Sequence, residues 1–334
     1  MGNRTPQSKS FNTVKHSNRD TRIKKQQKQR LLILAMVTVI ALLLVMLLIL
    51  SVCAIAQKIK NVVDSNNPDI QGVGTTLEEG NGMTVLSEHY KTKGPLLIVN
   101  SLGQSNSYIP DESLMTVIAK GAQPTFNGAP VYKLSKDLKI HPDALEAFNA
   151  MMTEYCKILW SGEDTVGTSP VELKTAYRSL TEQESLNSST KAGFSDHHTG
   201  YLLFLDATPQ AKDWIDKNAY KYGFVLRYPS DKSLQTGISN YTECIRYVGV
   251  AHASYMKANN LCLEEYVDLL RQHPFEAPLQ FSMANGSSYI VYYAAAYTAG
   301  GANNLTHIKT PKDYAVESVS GDNIGGFIVT VKLN

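Results

Sequence analysis

The sequence predicts an α+β protein with an N-terminal transmembrane helix and a small C-terminal β appendage. Three patterns in the 334-residue chain lead to this fold class. Residues 31–55 carry no charge, and apolar side chains recur every three or four positions over 142–160. Near the C-terminus, apolar residues fall on alternate positions from 327 to 333. These periods are those of a membrane span, an amphipathic helix and a β-strand.

The first 30 residues form a strongly basic arm. They hold nine Lys and Arg residues against the single acid Asp20, so the arm carries +8 and the remainder −6 of the chain's net +2. A basic arm can bind nucleic acid, but this one runs directly into the uncharged stretch 31–55. That stretch spans roughly 37 Å as a helix, enough to cross a bilayer core. We therefore predict a basic cytoplasmic arm at 1–30, a transmembrane anchor at 31–56 and no nucleic-acid binding.

Two alternatives exist for the anchor. Residues 53–56 loosely resemble a signal-peptide cleavage site, and Cys53 is a candidate for lipidation. A signal h-region has only about 7–15 residues, however, which favours an uncleaved span. The predicted location is the cell membrane in a single pass, with a cytoplasmic N-terminus and an extracellular C-terminal domain, as on a Gram-positive-like cell surface.

The segment 57–92 is predicted to be a stalk because it is rich in Gly and Asn and has no sustained apolar face. A globular domain is predicted over 93–273, starting with a short strand at 95–99. A helix follows at 142–160 and a strand at 171–176. Thr181 and Glu184 have the spacing of an N-cap and its capping-box partner.

The second half of the domain alternates helical and strand-like patterns. The predicted elements are a helix at 209–222 ended by Gly223, a strand at 224–226, a helix leading to Met256 and a helix at 261–270. After Pro274 the texture becomes β-rich, so residues 274–334 are predicted to form the appendage.

Four cysteines are present, and Cys53 falls inside the predicted span. Cys156, Cys244 and Cys262 remain, and an exported domain can pair two of these three. Three thiols are too few for a disulfide scaffold, so the apolar core has to supply the stability.

Several short motifs follow one another in a recognisable order. They are Tyr177-Arg178-Ser179 with Gln183, then Ser195-x-His197-x-x-Gly200, Tyr222-Gly223-Phe224 with Arg227-Tyr228-Pro229, Arg246-Tyr247-Val248-Gly249, and finally residues 260–266. In this order they resemble the VanY-type D-alanyl-D-alanine carboxypeptidases over about residues 140–272. The resemblance implies a mostly antiparallel central sheet flanked by helices.

Members of that family remove the terminal D-alanine from peptidoglycan stem peptides with one zinc ion. The resemblance implies that the His and Asp of a Ser-x-His-x-x-Gly-x-Ala-x-Asp motif bind the zinc. The His of a Glu-Pro-Trp-His-x-Arg-Tyr motif is the third ligand, and the Glu of that motif is the general base. Three ligands and an open position let zinc lower the pKa of a bound water to about 7.

In this chain only the first of these positions keeps its residue. His197 occupies the first ligand position, but Phe204 stands at the Asp position, Cys244 at the second His position and Tyr241 at the Glu position. Phe cannot ligate a metal, and Tyr with an ordinary pKa of about 10 is a poor base. We therefore predict a pseudoenzyme without a cofactor, in which His197 is a remnant.

The alternative is an active zinc D,D-carboxypeptidase with a rearranged site. Asp206 and Cys244 would then join His197 as ligands, with His198 as a further candidate and Glu243 as a weak substitute for the base. Asp206 lies two residues beyond Phe204, about 6.6 Å along a strand, so this arrangement requires a bulge.

The substrate-binding positions are better kept than the metal positions. By resemblance, Arg178, Gln183 and Ser195 line the cleft, and an arginine suits a terminal carboxylate. An ion-paired or surface arginine is the alternative for Arg178, whereas Arg227 and Arg246 are predicted to be structural. The predicted partner is a peptidoglycan stem peptide or a cell-surface protein. A pure interaction scaffold that binds through the appendage is a further possibility.

Overall fold

In the computed structural model the chain separates into two units, residues 1–63 and 64–334. The structure describes residues 70–72, 74–159, 169–239, 241–298 and 304–334, together with Met36 and Met46. The predicted arm and most of the predicted anchor at 31–56 lie outside the described residues. Within the described ranges, no helix is long and apolar enough to cross a membrane.

The helices of the second unit are short except for one. Their bounds are α1 Ser87–Tyr90, α2 Pro142–Leu159, α3 Leu180–Ser185, α4 Pro209–Asn218, α5 Ser233–Thr236, α6 Val250–Ala258 and α7 Leu263–Leu270. Helix α2 confirms the predicted amphipathic helix, because its apolar stripe, including Phe148, Met152 and Tyr155, is buried.

Fifteen strands are present in the described ranges, and all the named strand pairs are antiparallel. The first six are β1 Ile70–Gly72, β2 Met83–Leu86, β3 Thr116–Ile118, β4 Thr125–Phe126, β5 Ala129–Pro130 and β6 Leu138–Ile140. The middle four are β7 Val171–Thr175, β8 Leu202–Ala207, β9 Phe224–Leu226 and β10 Cys244–Tyr247. The last five are β11 Leu279–Met283, β12 Ser288–Ala295, β13 Leu305–Ile308, β14 Val316–Gly321 and β15 Gly326–Lys332.

A four-stranded sheet in the order β7-β8-β10-β9 forms the centre of the domain. One face packs on α2 and α4 through a core that includes Phe148, Leu203, Ile215 and Ile245. The polar turn 195–200 directly precedes strand β8 of this sheet. The predicted antiparallel sheet flanked by helices is therefore confirmed.

A second, five-stranded sheet has the order β1-β11-β12-β15-β14. It confirms the β-rich character predicted for 274–334, but it does not stand apart from the domain. One apolar cluster joins Phe281, Val291 and Ile328 of this sheet to Tyr266 of α7 and Ile98. The C-terminal strands therefore complete the core of the unit 64–334.

Part of the predicted stalk 57–92 is structured, which corrects that prediction. Strand β1 pairs with β11, and β2 pairs with β13. Both partners lie more than 200 residues downstream, so no local pattern in the sequence signals the pairing. Residues 57–69 and residue 73 of this segment lie outside the described residues.

Two local predictions are wrong in detail. The run 95–99 is buried as expected, but it forms no strand. Its backbone forms hydrogen bonds outside any strand pairing instead. For example, the Ile98 N–H donates to the Asp322 carbonyl at 3.1 Å. The capping box of α3 is formed by Ser179 and Glu182, two residues before the predicted Thr181 and Glu184.

Candidate functional site

The site is built on the turn between Ser195 and Gly200. Residues Asp196–Thr199 form a single 3-10 turn that Gly200 ends in the left-handed conformation, with φ of 73°. A Cβ at Gly200 would press on the flexible end of Met115, which can shift, so the left-handed backbone is what favours glycine here. Strand β8 starts two residues later, which fixes the turn at the end of the central sheet.

A fully buried ionic network lies under this turn. Asp196 accepts a hydrogen bond from Arg227 Nε at 2.5 Å, and its other oxygen lies 3.2 Å from Arg246 Nε. Arg227 also binds Glu264 in two parallel hydrogen bonds of 2.9 and 2.7 Å. Burial disfavours the charge on Arg227, but Glu264 and Asp196 outweigh it and raise its pKa. Arg227 and Arg246 are structural, as predicted.

Arg246 is less completely satisfied than Arg227. Its Nη2 donates to the Leu97 carbonyl at 3.3 Å, and its guanidinium stacks on the Tyr201 ring at 5.0 Å. The contact with Asp196 is an ion pair without hydrogen-bond alignment, and Nη1 has no acceptor. Burial lowers the pKa of Arg246. An arginine held this way depends strongly on its neighbours, because a buried charge is costly unless it is paired.

His197 is buried at the base of the cleft in one defined tautomer. Its Nδ1 donates to the Ala176 carbonyl at 2.6 Å, which leaves Nε2 as the acceptor of the ring. Burial, and then the positive charge of Arg178, lowers the pKa of His197 to about 4. The imidazole is therefore neutral at physiological pH.

His198 has a structural role that removes it as a candidate ligand. Its Nδ1 donates to the Arg178 carbonyl at 2.7 Å, and its Nε2 accepts the Gly193 N–H at 3.0 Å. Both ring nitrogens are therefore occupied in linking segments on either side of the cleft.

Arg178 is held at the cleft by Gln183. Its Nη1 donates to Gln183 Oε1 at 2.7 Å. Gln183 is buried and is fixed in turn by donating to Ser188 Oγ and the Thr190 carbonyl. Among the described residues, Arg178 forms no ion pair with a carboxylate, so the ion-paired alternative finds no support. Burial lowers its pKa, but a guanidinium stays protonated at neutral pH.

The three predicted substrate-binding residues belong to segments that hydrogen bonds join beside the turn 195–200. Ser195 is buried at the start of the turn, and its carbonyl accepts the His198 N–H. The Arg178 N–H donates to the His197 carbonyl at 3.2 Å, so the arginine and the turn share a hydrogen bond. Gln183 is connected to the turn indirectly, because it accepts a hydrogen bond from the side chain of Arg178.

The positions of Phe204 and Cys244 also meet in the structure. The two residues are direct partners in the pairing of β8 with β10, and Phe204 also pairs with Thr175 of β7. The next residue, Ala176, is the one that holds the His197 ring. The fold therefore brings positions 197, 204 and 244 to one place.

The floor of the cleft is apolar at these positions. Cys244 packs with Leu202 and Tyr228, and the half-buried Phe204 lies against the same cluster. Burial, followed by the charges of Asp196 and Glu243, raises the pKa of Cys244 to about 12. The side chain is therefore a neutral thiol. Cys156 and Cys262 are likewise free and buried, so no disulfide joins these three cysteines.

The comparisons with known proteins agree with this geometry. The family model described as "VanY: D-alanyl-D-alanine carboxypeptidase" matches residues 138–250. We call residues 138–250 the VanY domain, after the family model that they match.

Curated relatives support the same family. A D-alanyl-D-alanine carboxypeptidase of Enterococcus faecium is 37% identical over 178 residues, which is 49% of this chain and 55% of the relative. One from Enterococcus faecalis is 38% identical over 82 residues, 23% of this chain and 31% of the relative. The chain thus spans from about a third to just over half of these relatives' lengths.

A solved structure shares the fold of the VanY domain and its surroundings. It is the vancomycin-resistance D,D-dipeptidase VanXYg in complex with a D-Ala-D-Ala phosphinate analogue. It has a TM-score of 0.58 and 23% identity, and the match covers 76% of this chain and all of the other. At this identity the likeness concerns the fold alone.

The residues of this VanY domain do not fit the zinc site of the family. A tetrahedral catalytic site needs three protein ligands, and the cleft offers one imidazole, one thiol and the phenyl ring of Phe204. No group of three or more His, Cys, Asp or Glu residues able to hold a metal occurs in the part of the chain that the structure describes. We therefore assign no chemical step to a metal here.

The residues of the rearranged-site alternative lie apart. Asp206 is exposed, pairs with Glu172 across the sheet and lies 3.5 Å from Lys174 Nζ. Strand β8 pairs with β10 in regular register up to Phe204, and the irregularity in its other pairing lies on β7, between Leu173 and Thr175. Asp206 therefore stays exposed beside Lys174 and does not take the place of Phe204. Tyr241 and Glu243 are both exposed on the segment that leads into β10.

Sequence reasoning missed the acids of the buried network. Asp196 and Glu264 are buried carboxylates that hold Arg227, yet neither belongs to a ligand or substrate position. The sequence holds no signal for this role, because an acid in a polar turn is normally solvated.

Proposed function

We propose that the VanY domain binds peptides ending in D-alanyl-D-alanine, as found in peptidoglycan stem peptides, without cleaving them. The observation that carries this proposal is Arg178, a partly buried guanidinium that pairs with no carboxylate among the described residues. A charge removed from water in this way is stabilised by a complementary anion, and a peptide terminus supplies one. The carboxypeptidase relatives point to the same ligand chemistry.

The neighbours of Arg178 explain why the site would favour a small apolar C-terminal residue. The floor formed by Leu202, Phe204, Cys244 and Tyr228 is apolar and neutral. His197 contributes a neutral imidazole whose Nε2 can accept a hydrogen bond from a peptide N–H. Arg178 would therefore hold the carboxylate, while the floor receives the methyl groups of the alanines.

The absence of cleavage is part of the same proposal. Peptide hydrolysis at neutral pH needs an activated water and a group that removes its proton. Where the family has two ligands and a base, this cleft has Phe204, Cys244 and Tyr241. We also propose that residues 31–56 anchor the domain on the outer face of the cell membrane, where such peptides occur.

Binding is tested by calorimetry on the full-length chain kept in a mild detergent. The probe is an N-acetylated peptide ending in D-Ala-D-Ala, and the matched probe is the same peptide with a C-terminal amide. We expect the free carboxylate to bind at least tenfold more tightly, and Arg178→Ala to remove that difference. Lys191→Ala, an exposed cation outside the cleft contacts, should leave it unchanged.

Cleavage is tested on the same samples by measuring release of free D-alanine with and without added zinc. Equal affinity for acid and amide would overturn the binding role. Zinc-dependent release of D-alanine would show an active carboxypeptidase instead.

A further inference from the structure

The C-terminal turn, defined as residues 321–326 between β14 and β15, is linked to the cleft by buried hydrogen bonds. Asp322 and Asn323 at its tip are both fully buried, which is unusual for the tip of a hairpin. Asp322 accepts the N–H groups of Ile324, Gly325 and Gly326. It also accepts a hydrogen bond of 3.0 Å from Arg271, the C-cap residue of α7. The turn is therefore rigid and is fastened to the helical part of the unit.

Asn323 extends from this turn to the strap, defined as residues 96–100. Its Nδ2 donates to the Ile98 carbonyl at 3.0 Å and to the Asn106 carbonyl at 2.9 Å. The backbone adds a bond from the Ile98 N–H to the Asp322 carbonyl at 3.1 Å. Because the strap belongs to no sheet, these bonds replace the ladder that would otherwise fix it.

The strap in turn holds the ionic network from two sides. The Leu97 carbonyl accepts Arg246 Nη2 at 3.3 Å, and Asn100 Nδ2 donates to Glu264 Oε1 at 3.1 Å. Arg246 and Glu264 reach Asp196 by separate routes, the first directly and the second through Arg227. Asp196 is the neighbour of His197 in the turn that builds the cleft.

From this continuity we infer that Asn323 is a positioning residue for the cleft, acting through the strap and the network on the turn 195–200. The C-terminal sheet then belongs to the binding apparatus, although in the described part of the chain no side-chain hydrogen bond joins Asn323 directly to the turn 195–200. The inference concerns the order of the turn and stands apart from the peptide proposal. Only the affinity measurement below rests on the proposed function.

Asn323→Asp is the variant that isolates the link. It keeps the size of the side chain but replaces the donor that faces two carbonyl oxygens with a buried negative charge. The matched control is Asn127→Asp, the same change at an exposed asparagine that is also left-handed, with φ of 49° against 58° for Asn323. Asn323→Gly is a milder second variant, because glycine tolerates the left-handed backbone while removing both side-chain bonds.

The measurement is hydrogen–deuterium exchange of the full-length chain in detergent, followed by mass spectrometry. In Asn323→Asp we expect amides of the turn 195–200 to exchange at least tenfold faster, while those of α2 change less than twofold. Asn323→Gly should show the same pattern at about threefold, and Asn127→Asp neither change. Helix α2 reports general stability, because the deeply buried part of a domain exchanges mainly by global unfolding.

Equal acceleration in the turn and in α2 would show that Asn323 acts only on overall stability and would overturn the inference. Unchanged exchange in the turn would overturn it as well. If Asn323→Asp does not fold, Asn323→Gly decides by the same two criteria. Affinity for the D-Ala-D-Ala peptide should fall at least threefold with the faster turn. If the unmodified chain binds no peptide, the proposed function fails and the exchange result still decides the positioning role.

Discussion

The ionic network under the turn is built from charged residues, whereas the floor of the cleft above it carries no charge. The network holds four buried charged residues, Asp196, Arg227, Arg246 and Glu264, in mutual contact. The floor, only a few residues away along the same strands, has an apolar ring and a neutral thiol at two family ligand positions. The scaffold that shapes the cleft is therefore separable from the residues that would run metal chemistry in it.

The largest expected effect comes from restoring the family residues on the floor. Phe204→Asp, Cys244→His and Tyr241→Glu together should bring zinc to near one ion per chain after dialysis, measured by elemental analysis. The register supports this, because direct cross-strand neighbours have Cβ atoms about 4.5–5.5 Å apart. The unmodified chain should stay far below one ion.

Tyr241→Glu alone is the control for this change, because it adds an acid without adding either missing ligand. It should remain as poor in metal as the unmodified chain. A zinc content near one ion per unmodified chain would show that the floor does bind metal. That result would contradict the contrast with the ionic network and favour the active-enzyme alternative.

The next largest effect concerns the network itself. Arg227→Met leaves Glu264 buried without its cation and Asp196 with only the poorly aligned Arg246, so we expect a loss of about 3–5 kcal/mol in the free energy of unfolding. Lys217→Met, which breaks an exposed pair with Asp213, should cost less than about 1 kcal/mol. Urea titration followed by circular dichroism measures both. A loss below about 1 kcal/mol for Arg227→Met would mean that the network does not hold the cleft.

A smaller effect is expected from pH at His252, which links α6 to the C-terminal sheet. Its Nδ1 shares a hydrogen bond with the Tyr266 hydroxyl at 2.8 Å, and its Nε2 shares one with Thr330 at 3.0 Å. Burial lowers its pKa to about 4, while the unfolded chain keeps the ordinary value of about 6.5. Between these values the unfolded state binds more protons, so stability falls as pH drops from 6.5 towards 4.

His252→Gln removes this titration. Between pH 7 and pH 4 the unmodified chain should lose about 2–3 kcal/mol more stability than the variant does. His307→Gln, at an exposed histidine, should follow the unmodified chain across the same range. Parallel pH profiles for His252→Gln and the unmodified chain would contradict the buried neutral state of His252.

The smallest effect tests the register of the floor. Phe204 is only partly buried, so Phe204→Ala should cost about 1–2 kcal/mol, less than the 3–5 kcal/mol of a fully buried ring. Ile109→Ala, at a residue that is 78% exposed, should stay within about 0.5 kcal/mol. A cost for Phe204→Ala no larger than that of the control would place the ring outside the floor.

The parts of the fold that follow local periodicity were predictable from the sequence. Helix α2 matches its pattern because its apolar face is buried in one core. In strand β15 the alternating residues Phe327, Val329 and Val331 share one cluster as predicted, although the opposite face, with Ile328, is buried as well. The sequence predicts the capping box two residues too late, because Ser179 and Thr181 each precede a glutamate by three positions. Local spacing alone does not choose between two such candidates.

The parts that depend on distant partners were not predictable. The strap has an apolar sequence typical of a strand, but its bonds go to a turn more than 200 residues away. The convergence of positions 197, 204 and 244 was expected from family resemblance, and the register of β8 with β10 supplies it physically. The role of Asp196 needed the structure, because an acid in a polar turn is normally solvated.

The pairing of β1 with β11 has a mechanical consequence. Tension applied to the chain ahead of residue 70 would first load three residue pairs at the edge of the C-terminal sheet, far in sequence from the cleft. Such a short edge pairing is a weak link that yields before the core does. The cleft would therefore keep its shape under a pull that frees β1.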